Sequence, residues 1–322
     1  MHKIKWLFFL LFPLLIIAEN DSSFVEVIKI YEGSLKNNGK EVSGHEEWNI
    51  PYCFDIDSNE VIFLPNNINK SLKIIKNNKI ISVIKIDESI FDVLYYDNSI
   101  FVETFDKVTQ YSLSNYEKLF VYEIHDRKSY ALIDFKVKND TLINFYRKDI
   151  DTTFYSKFEY ILEKKSLDGK KTDIKKIDFH YDNVGFTPFD ALANQLIYLG
   201  KNSLYMPFNN SIYDVNINSG KINNIFKIKE LEWADGVLYC DGNSGLLVPF
   251  DVYFGIKKVN ISNGLVEKIN LVPILEKYFN GVIGKDFMYG VEYKAYDFKF
   301  VNKQIYLMCS TRTKTYVLKI II

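Results

Sequence analysis

The sequence contains few of the residues that mark several common classes of protein. It has three cysteines, seven prolines and four histidines in 322 residues. Cys53, Cys240 and Cys309 are far apart and form no CxxC pair, so they indicate neither a zinc site nor a disulfide framework. We interpret them as small buried apolar residues. The alternative is that two of them pair in an exported protein.

An excess of charge of one sign is also lacking. The chain has 40 Lys and Arg against 41 Asp and Glu, and three of these cations are arginines, Arg127, Arg147 and Arg312. Bidentate clamps on phosphate or carboxylate are therefore scarce. No basic domain or stripe is apparent, so nucleic acid is not an expected partner. GxSxG and Gly-rich phosphate-binding motifs are absent as well.

No long hydrophobic run occurs after the first eighteen residues. Those residues combine Lys3 and Lys5 with an apolar run at 6–17 and a small residue, Ala18, which is typical of a secretory signal. The run is shorter than the ~20 residues that span a bilayer, although a membrane anchor is the alternative. We predict a signal peptide at 1–18 and a single mature domain at 19–322 that is secreted or periplasmic, without a transmembrane segment.

Beyond residue 20 the chain consists of short runs rich in Val, Ile, Phe and Tyr, separated by clusters of Asn, Gly, Ser and Asp. This pattern indicates strands joined by tight turns. The runs recur in groups of four, and a repeated group of four strands is the blade of a β-propeller. Five complete units cover residues 52–86, 91–124, 130–179, 195–228 and 236–271, and a sixth unit at 296–322 has three strands.

The turns repeat with the strands. An asparagine stands between the first and second strands of each unit: Asn59, Asn98, Asn139, Asn202, Asn243 and Asn302. Asparagine tolerates the left-handed backbone that a tight hairpin needs. The alternative is that an Asn-rich chain places asparagine in every loop, but its recurrence at one phase of the unit favours the repeat.

The strand missing from the sixth unit is supplied by the start of the mature chain. Residues 24–30 read FVEVIKI and precede the first unit, which suits the fourth strand of a blade. Closing a ring in this way removes an exposed sheet edge. The sequence therefore predicts an all-β fold: a six-bladed β-propeller of four-stranded antiparallel blades, with the ring closed 3+1 by the N-terminal strand.

Two stretches resemble known propeller repeats. Residues 50–75, IPYCFDIDSNEVIFLPNNINKSLKII, resemble the NHL-type repeat, in which an acidic turn leads to an apolar strand and then to an Asn-basic-apolar strand. Residues 204–221, LYMPFNNSIYDVNINSGK, are similar to the fourth blade of uncharacterised secreted bacterial six-bladed propeller proteins. Both likenesses lie in scaffold positions, so they imply a fold and not a function.

In a propeller, the connections from the outermost strand of one blade to the innermost strand of the next lie on one face. On the predicted boundaries these are residues 31–50, 87–90, 125–129, 180–194, 229–235 and 272–295. They contain the three mature histidines and both mature tryptophans. We predict a ligand-binding site there, formed by His45, Trp48, His125, Arg127, His180, Tyr181, Trp233 and Asp235. Aromatic faces beside carboxylates suit a sugar or a peptide.

Other readings of these residues are weaker. The loop residues could be partly exposed without sharing a site, and a metal held by the three histidines is not expected because their loops can be far apart. A zincin-type site is not supported either, since His45 begins no HExxH motif. Residues 55–59 copy the first ligand positions of an EF-hand, but Glu60 replaces the required Gly, so we predict a hairpin turn. Pro273 and Asn280-Gly281 bound a predicted short helix. No cofactor is predicted.

Two classes of function remain at the end of this reasoning. The first is a monomeric, exported, non-catalytic recognition scaffold that binds a protein, peptide or glycan at the mouth of the channel. The alternative is a propeller hydrolase or lactonase that uses the same face, with calcium in the channel. Acids gathered around one point would favour the enzyme, and the acids of the loops are scattered. The residues leave open whether the protein is an enzyme.

Overall fold

The computed structural model describes residues 26–34, 51, 53–124, 130–149, 158–177, 197–208, 210–228, 230–231, 235–249, 255–271, 293–311 and 314–322. In these ranges the chain forms strands and turns, with one short 3-10 turn at Asn67–Asn69. Among these residues, no helix is long and apolar enough to cross a bilayer. The predicted signal peptide and the predicted helix after Pro273 lie outside the described residues.

The strands group into six four-stranded antiparallel sheets. Blade one contains β2 (Asp55–Ile56), β3 (Ile62–Asn66), β4 (Ser71–Lys76) and β5 (Lys79–Lys85). Blade two contains β6 (Asp92–Tyr96), β7 (Ser99–Glu103), β8 (Lys107–Ser112) and β9 (Lys118–Glu123). Blade three contains β10 (Tyr130–Lys138), β11 (Thr141–Asp149), β12 (Phe158–Ser166) and β13 (Thr172–Ile177).

The second half of the ring follows the same plan. Blade four contains β14 (Tyr198–Leu199), β15 (Ser203–Phe208), β16 (Ser211–Asn216) and β17 (Ile222–Lys227). Blade five contains β18 (Asp235–Cys240), β19 (Ser244–Pro249), β20 (Gly255–Asn260) and β21 (Leu265–Asn270). Blade six contains β22 (Tyr293–Val301), β23 (Gln304–Thr311), β24 (Lys314–Ile321) and β1 (Glu26–Ser34).

The ring closes by pairing the N-terminal strand with the C-terminal one. β1 runs antiparallel to β24, with Val27 opposite Ile320 and Gly33 opposite Thr315. This confirms the predicted six-bladed propeller and its 3+1 closure. The strand extends to Ser34, beyond the predicted end at residue 30, because a bulge between Lys29 and Tyr31 lets pairing with β24 continue.

The first strand of each blade lies nearest the ring axis. β2 contacts both β6 and β22, and β18 contacts β14 and β22, so the innermost strands of neighbouring blades adjoin one another. The outermost strands face solvent, as the exposed pattern of β5 shows against the buried pattern of β4. Because every blade runs outward from the axis, each blade-to-blade connection joins an outer strand to an inner one at the same end of the ring.

The hydrophobic core lies between blades, since each sheet packs its two faces against its neighbours. Phe63, Leu72 and Ile74 of blade one pack with Val93 and Val102 of blade two. A corresponding core at the closure combines Tyr31 of β1 and Val317 of β24 with Phe54 and Ile62 of blade one. Burial of each such side chain contributes about 1.5–3 kcal/mol, so packing reinforces the strand pairing that closes the ring.

Asparagines shape several of the hairpins as predicted. Asn98, Asn139 and Asn302 have positive φ between the first and second strands of their blades, and each has a neighbour with positive φ, as two-residue hairpin turns require. Blades one and five differ, because Glu60 and Gly242 take the positive φ there in place of Asn59 and Asn243. The hairpin predicted at residues 55–59 is confirmed, since the Asp57 carboxylate accepts hydrogen bonds from the backbone of Asn59 and Val61.

Candidate functional site at the ring axis

Most of the predicted ligand-binding residues fall outside the described part of the chain. These are His45, Trp48, His125, Arg127, His180, Tyr181 and Trp233. The backbone of Asp235 is described and begins β18, the innermost strand of blade five. The described strand ends that flank these segments belong to successive blades and lie at one end of the ring.

A cluster of carboxylates stands on the innermost strands themselves. Blades six, one, two and three follow one another around the ring, and each contributes one aspartate to the cluster: Asp297, Asp55, Asp92 and Asp134. Three of them, Asp55, Asp134 and Asp297, are buried. Lys299 and Lys136 follow two residues after Asp297 and Asp134 on their strands, so the cluster combines four acids with two cations.

Asp297 and Asp55 link the innermost strands of neighbouring blades. The Asp297 Oδ2 atom accepts a hydrogen bond of 3.2 Å from the backbone N–H of Phe54, in blade one. In turn, Asp55 Oδ2 accepts a bond of 2.5 Å from the N–H of Tyr95, in blade two, and its Oδ1 accepts one from Ile56. These side chains connect blades six, one and two around the axis, where no strand ladder can do so.

Burial dominates the electrostatics of this cluster. It raises the pKa of Asp55 to about 6, although Lys299 and the N–H groups of Tyr95 and Ile56 oppose the shift. It also raises the pKa of Asp297 to about 6, against the opposing effect of Lys299. The charge of Asp92 adds to both increases, because like charges disfavour ionisation.

The two lysines partly neutralise the acids. Lys299 Nζ lies 2.9 Å from Asp297 Oδ2, and the surrounding carboxylates, Asp297 first, raise the pKa of Lys299 well above its usual value despite burial. Lys136 Nζ lies 2.9 Å from both oxygens of Asp134. Burial raises the pKa of Asp134, while Lys136 lowers it. Lys299 therefore remains charged, while Asp55 and Asp297 lose their protons at about pH 6.

The remaining part of the axis is aromatic. Tyr198 on β14 and Tyr239 on β18 meet edge to face with ring centroids 5.2 Å apart, and Tyr239 lies 4.9 Å from Phe300 on β22. Tyr198 also stacks on Tyr205 at 6.4 Å. Tyr198 and Tyr239 thus stand on the innermost strands of blades four and five. The polar and aromatic parts meet at β22, which carries Asp297, Lys299 and Phe300.

The described side chains near the axis and the three cysteines are poorly suited to metal binding or nucleophilic catalysis. In the described residues, no group of three His, Cys, Asp or Glu side chains could hold a metal ion. The three cysteines are free and buried, as predicted, and burial raises the pKa of Cys240 to about 11, so these thiols are poor nucleophiles. Asp55 and Asp297 already accept backbone hydrogen bonds. The arrangement is that of linked blades with residual negative charge at the axis.

Sequence reasoning missed this cluster because it searched the loops. A signal was present in the repeat: an apolar or aromatic residue, an aspartate and a β-branched or aromatic residue recur as Phe54-Asp55-Ile56, Phe91-Asp92-Val93 and Tyr296-Asp297-Phe298. All three triplets lie near the start of a repeat unit, and this position predicts that their aspartates are on the innermost strands. Tyr198 and Tyr239 share a motif as well, because each follows two apolar residues and precedes an Asn-Ser pair by four residues.

No protein-family model matches the sequence, and no curated protein sequence matches it. The fold is similar to that of a virginiamycin B lyase from Staphylococcus aureus, with 12% identity, a TM-score of 0.53 and coverage of 93% of this chain and 100% of the other. A streptogramin B lyase gives 9% identity, a TM-score of 0.52 and coverage of 92% and 97%.

A third similar structure is the Pan2 WD40 domain from Neurospora crassa, with 9% identity, a TM-score of 0.50 and coverage of 91% of this chain and 95% of the other. Identities this low show the fold alone. The structural neighbours include lyases and a WD40 domain, so the same architecture occurs with different roles. The class that the fold defines for this chain is the six-bladed β-propeller.

Proposed function

We propose that this chain is an exported, non-catalytic recognition scaffold that binds a protein, peptide or glycan at one end of its ring. The observation that carries the proposal is the strand order, which attaches every blade-to-blade connection to the same end. The segments that follow β1, β9, β13 and β17 contain His45, Trp48, His125, His180 and Trp233. A composite surface from several blades is typical of recognition by propellers.

The state of the axial acids favours a scaffold over a hydrolase or lactonase. A general acid or base needs a free position within hydrogen-bond reach of its substrate. Asp55 and Asp297 are buried, and both bind backbone N–H groups of a neighbouring blade. Their raised pKa values follow first from burial between blades. These aspartates therefore support the ring that presents the binding surface.

Export is part of the same proposal. The positive start, the apolar run at 6–17 and Ala18 support removal of a leader before Glu19. We further propose that the blades are of the NHL type, on the pattern of residues 50–75. Mass spectrometry of the protein recovered from a secreting bacterial host measures the mature N-terminus. A start near Glu19 is expected, and retention of residues 6–17 would mean a tethered protein.

The binding surface is tested with tryptophan variants. Trp48→Ala and Trp233→Ala remove large aromatic faces, which commonly dominate affinity at interfaces. Ligands are first found by applying the labelled protein to arrays of oligosaccharides and peptides, and their dissociation constants are then measured by calorimetry. We expect each variant to weaken binding on the order of thirtyfold, with little change in thermal stability.

Phe120→Ala is the matched control for this experiment. Phe120 is an exposed aromatic residue on β9, the outermost strand of blade two, where its ring stacks on Tyr122 at 5.6 Å. Its removal is expected to leave the affinity unchanged. The proposal is wrong if the tryptophan variants bind as the wild type does, or if the control loses as much affinity as they do.

A further inference from the structure

The outer edge of blade one differs from the other outer edges in its exposed apolar side chains. Ile80, Ile81 and Val83 on β5 are 50%, 55% and 56% exposed. Among the described residues, no other outermost strand carries more than two exposed large hydrophobic side chains. Exposed apolar groups that adjoin each other on a sheet edge mark sites of strand pairing or docking.

A bulge explains why two neighbouring isoleucines are both exposed. Ile74 pairs with Ser82 and Ile75 pairs with Ile80, so Ile81 has no opposite residue on β4. Strict alternation would have turned one of the two inward. Instead, Ile84 alone of the β5 apolar residues enters the core between blades one and two. Within the described chain, β5 pairs with β4 and with no strand on its other side.

The same edge carries an excess of positive charge. Residues 61–86 contain Lys70, Lys73, Lys76, Lys79 and Lys85 and no Asp or Glu. Lys76 and Lys79 are exposed at one end of β5, while Lys70 and Lys85 are exposed at the other. The charge of the whole chain is nearly balanced, but the hairpin of β4 and β5 brings these lysines together.

The acids nearest to this edge are engaged elsewhere. Glu60 binds Lys319 at 2.7 Å, and Glu88 binds Lys107 at 2.6 Å. Glu32, whose backbone N–H bonds Asn78 in the β4–β5 turn, pairs its carboxylate with Lys29 and Lys314. The one ion pair at the edge, Lys85 with Asp87, is fully in solvent and therefore weak. The lysines keep an excess of positive charge around the apolar centre.

We propose that the outer edge of β5 is a docking site for an extended acidic segment of a partner protein. The segment has apolar side chains in its centre, against Ile80, Ile81 and Val83, and carboxylates at both ends, against the lysines. Its backbone adds to the open edge of the sheet, and its side chains supply the specificity. A second copy of the β5 edge is a poor occupant, because its lysines would face like charges. The site is separate from the loop surface of the proposed function.

The test uses a fluorescein-labelled synthetic peptide with alternating valine and threonine in the centre and glutamates at both ends. Fluorescence anisotropy measures its binding to the full-length protein. Combined Lys76→Glu and Lys79→Glu substitutions are expected to weaken binding roughly tenfold, as is the pair Ile81→Thr and Val83→Thr. Binding to the wild type is expected to fall as salt is added, because the lysines are exposed.

Lys221→Glu and Ile225→Thr are the matched controls. These residues are exposed at β17, the corresponding strand of blade four, and their substitution is expected to leave peptide binding unchanged. Trp48→Ala is also expected to bind the peptide normally, which separates this proposal from the loop surface. Hydrogen exchange with and without the peptide is expected to show new protection within residues 79–85.

Several results would overturn the proposal. Equal affinity of the β5 variants and the wild type would do so, as would protection confined to other strands. A peptide in which lysines replace the glutamates should not bind, and its binding with similar affinity would exclude the charge argument. Tighter binding to vesicles of anionic phospholipid than to the acidic peptide, with loss of both in the Lys76→Glu and Lys79→Glu variant, would assign the edge to a membrane surface instead.

Discussion

At the scale of single residues, the aspartates of the innermost strands stand out, because Asp55, Asp134 and Asp297 are buried acids. Asp297 accepts the Phe54 N–H and pairs with Lys299, and both contacts favour its ionised form. Burial works in the opposite direction and prevails, since the pKa is raised to about 6. The folded protein therefore binds a proton at Asp297 more tightly than the unfolded chain does.

This difference predicts a rise in stability on mild acidification. A raised pKa in the folded state means that folding takes up a proton between about pH 4 and pH 6, so the free energy of unfolding increases as the pH falls through that window. Asp55 acts in the same direction. We expect the melting temperature of the wild type to rise by about 3 °C or more between about pH 7.5 and pH 5.

Asp297→Asn tests the origin of that rise. The variant cannot take up the proton, so its melting temperature should change less with pH than that of the wild type. Asp168→Asn is the control, because hydrogen bonds from Ser166 and Lys170 lower the pKa of this exposed acid to about 2, below the window. Comparing how the melting temperature changes with pH in Asp297→Asn and in the wild type separates the contribution of Asp297 from that of the histidines. Parallel slopes for Asp297→Asn and the wild type would contradict the argument.

At the scale of elements, β1 matters more than its position at the end of blade six suggests. Its pairing with β24 closes the ring, and its Val27 and Tyr31 side chains are buried. Tyr31 packs with Phe54 and Ile62 across the closure, so the strand joins two blades as well as completing one. Without it, β24 becomes an open edge of eight residues with an uncovered apolar face.

A chain that begins at residue 35 tests this role. We expect it to unfold at least about 10 °C below the full chain and to self-associate, because several kcal/mol of apolar burial is lost. Thermal unfolding and size-exclusion chromatography measure both effects. A synthetic peptide of residues 26–34 should restore part of the stability when added in trans, whereas a peptide with Val27→Asp and Tyr31→Asp should not. Equal stability of the truncated and full chains would refute the closure.

The elements also show which parts of the fold sequence reasoning can reach. Hairpin strands such as β12, predicted to begin at Phe158, were found because alternation and turn residues are local signals. The innermost strand of blade one is predicted to begin at residue 52, and among its described residues the strand pairing is at Asp55–Ile56. The Phe54 N–H donates a hydrogen bond to the Asp297 carboxylate of the neighbouring blade, and a contact between residues so distant in sequence has no trace in local periodicity.

At the scale of the whole molecule, the described ring has no covalent crosslink. Cys53, Cys240 and Cys309 lie in blades one, five and six, and all three are free and buried. The stability of the ring therefore depends on packing between blades and on links such as those of Asp55 and Asp297. The position of the candidate loop surface follows from the strand order. Its shape does not follow from the sequence, because its residues are in segments whose sequences lack strand periodicity.

Thiol chemistry tests this account of the whole molecule. Burial raises the pKa values of all three cysteines, so none should react with Ellman's reagent while the protein is folded. In guanidinium chloride, all three thiols should react. Ser114→Cys, at an exposed turn, is the positive control and should add one thiol that reacts at once. A reductant should leave the melting temperature unchanged, and a reductant-dependent melting temperature would reveal a disulfide.

The pairing of β1 with β24 also imposes an order on folding. Every other pairing joins strands that are close in the chain, so each blade can form soon after it is synthesised. β1 is made before all of them and has no partner until β24 has left the ribosome. Contacts between residues so distant in sequence form slowly, because a long loop must close first. We therefore expect ring closure to be the final and slowest event of folding, with a nascent propeller that is still an open arc.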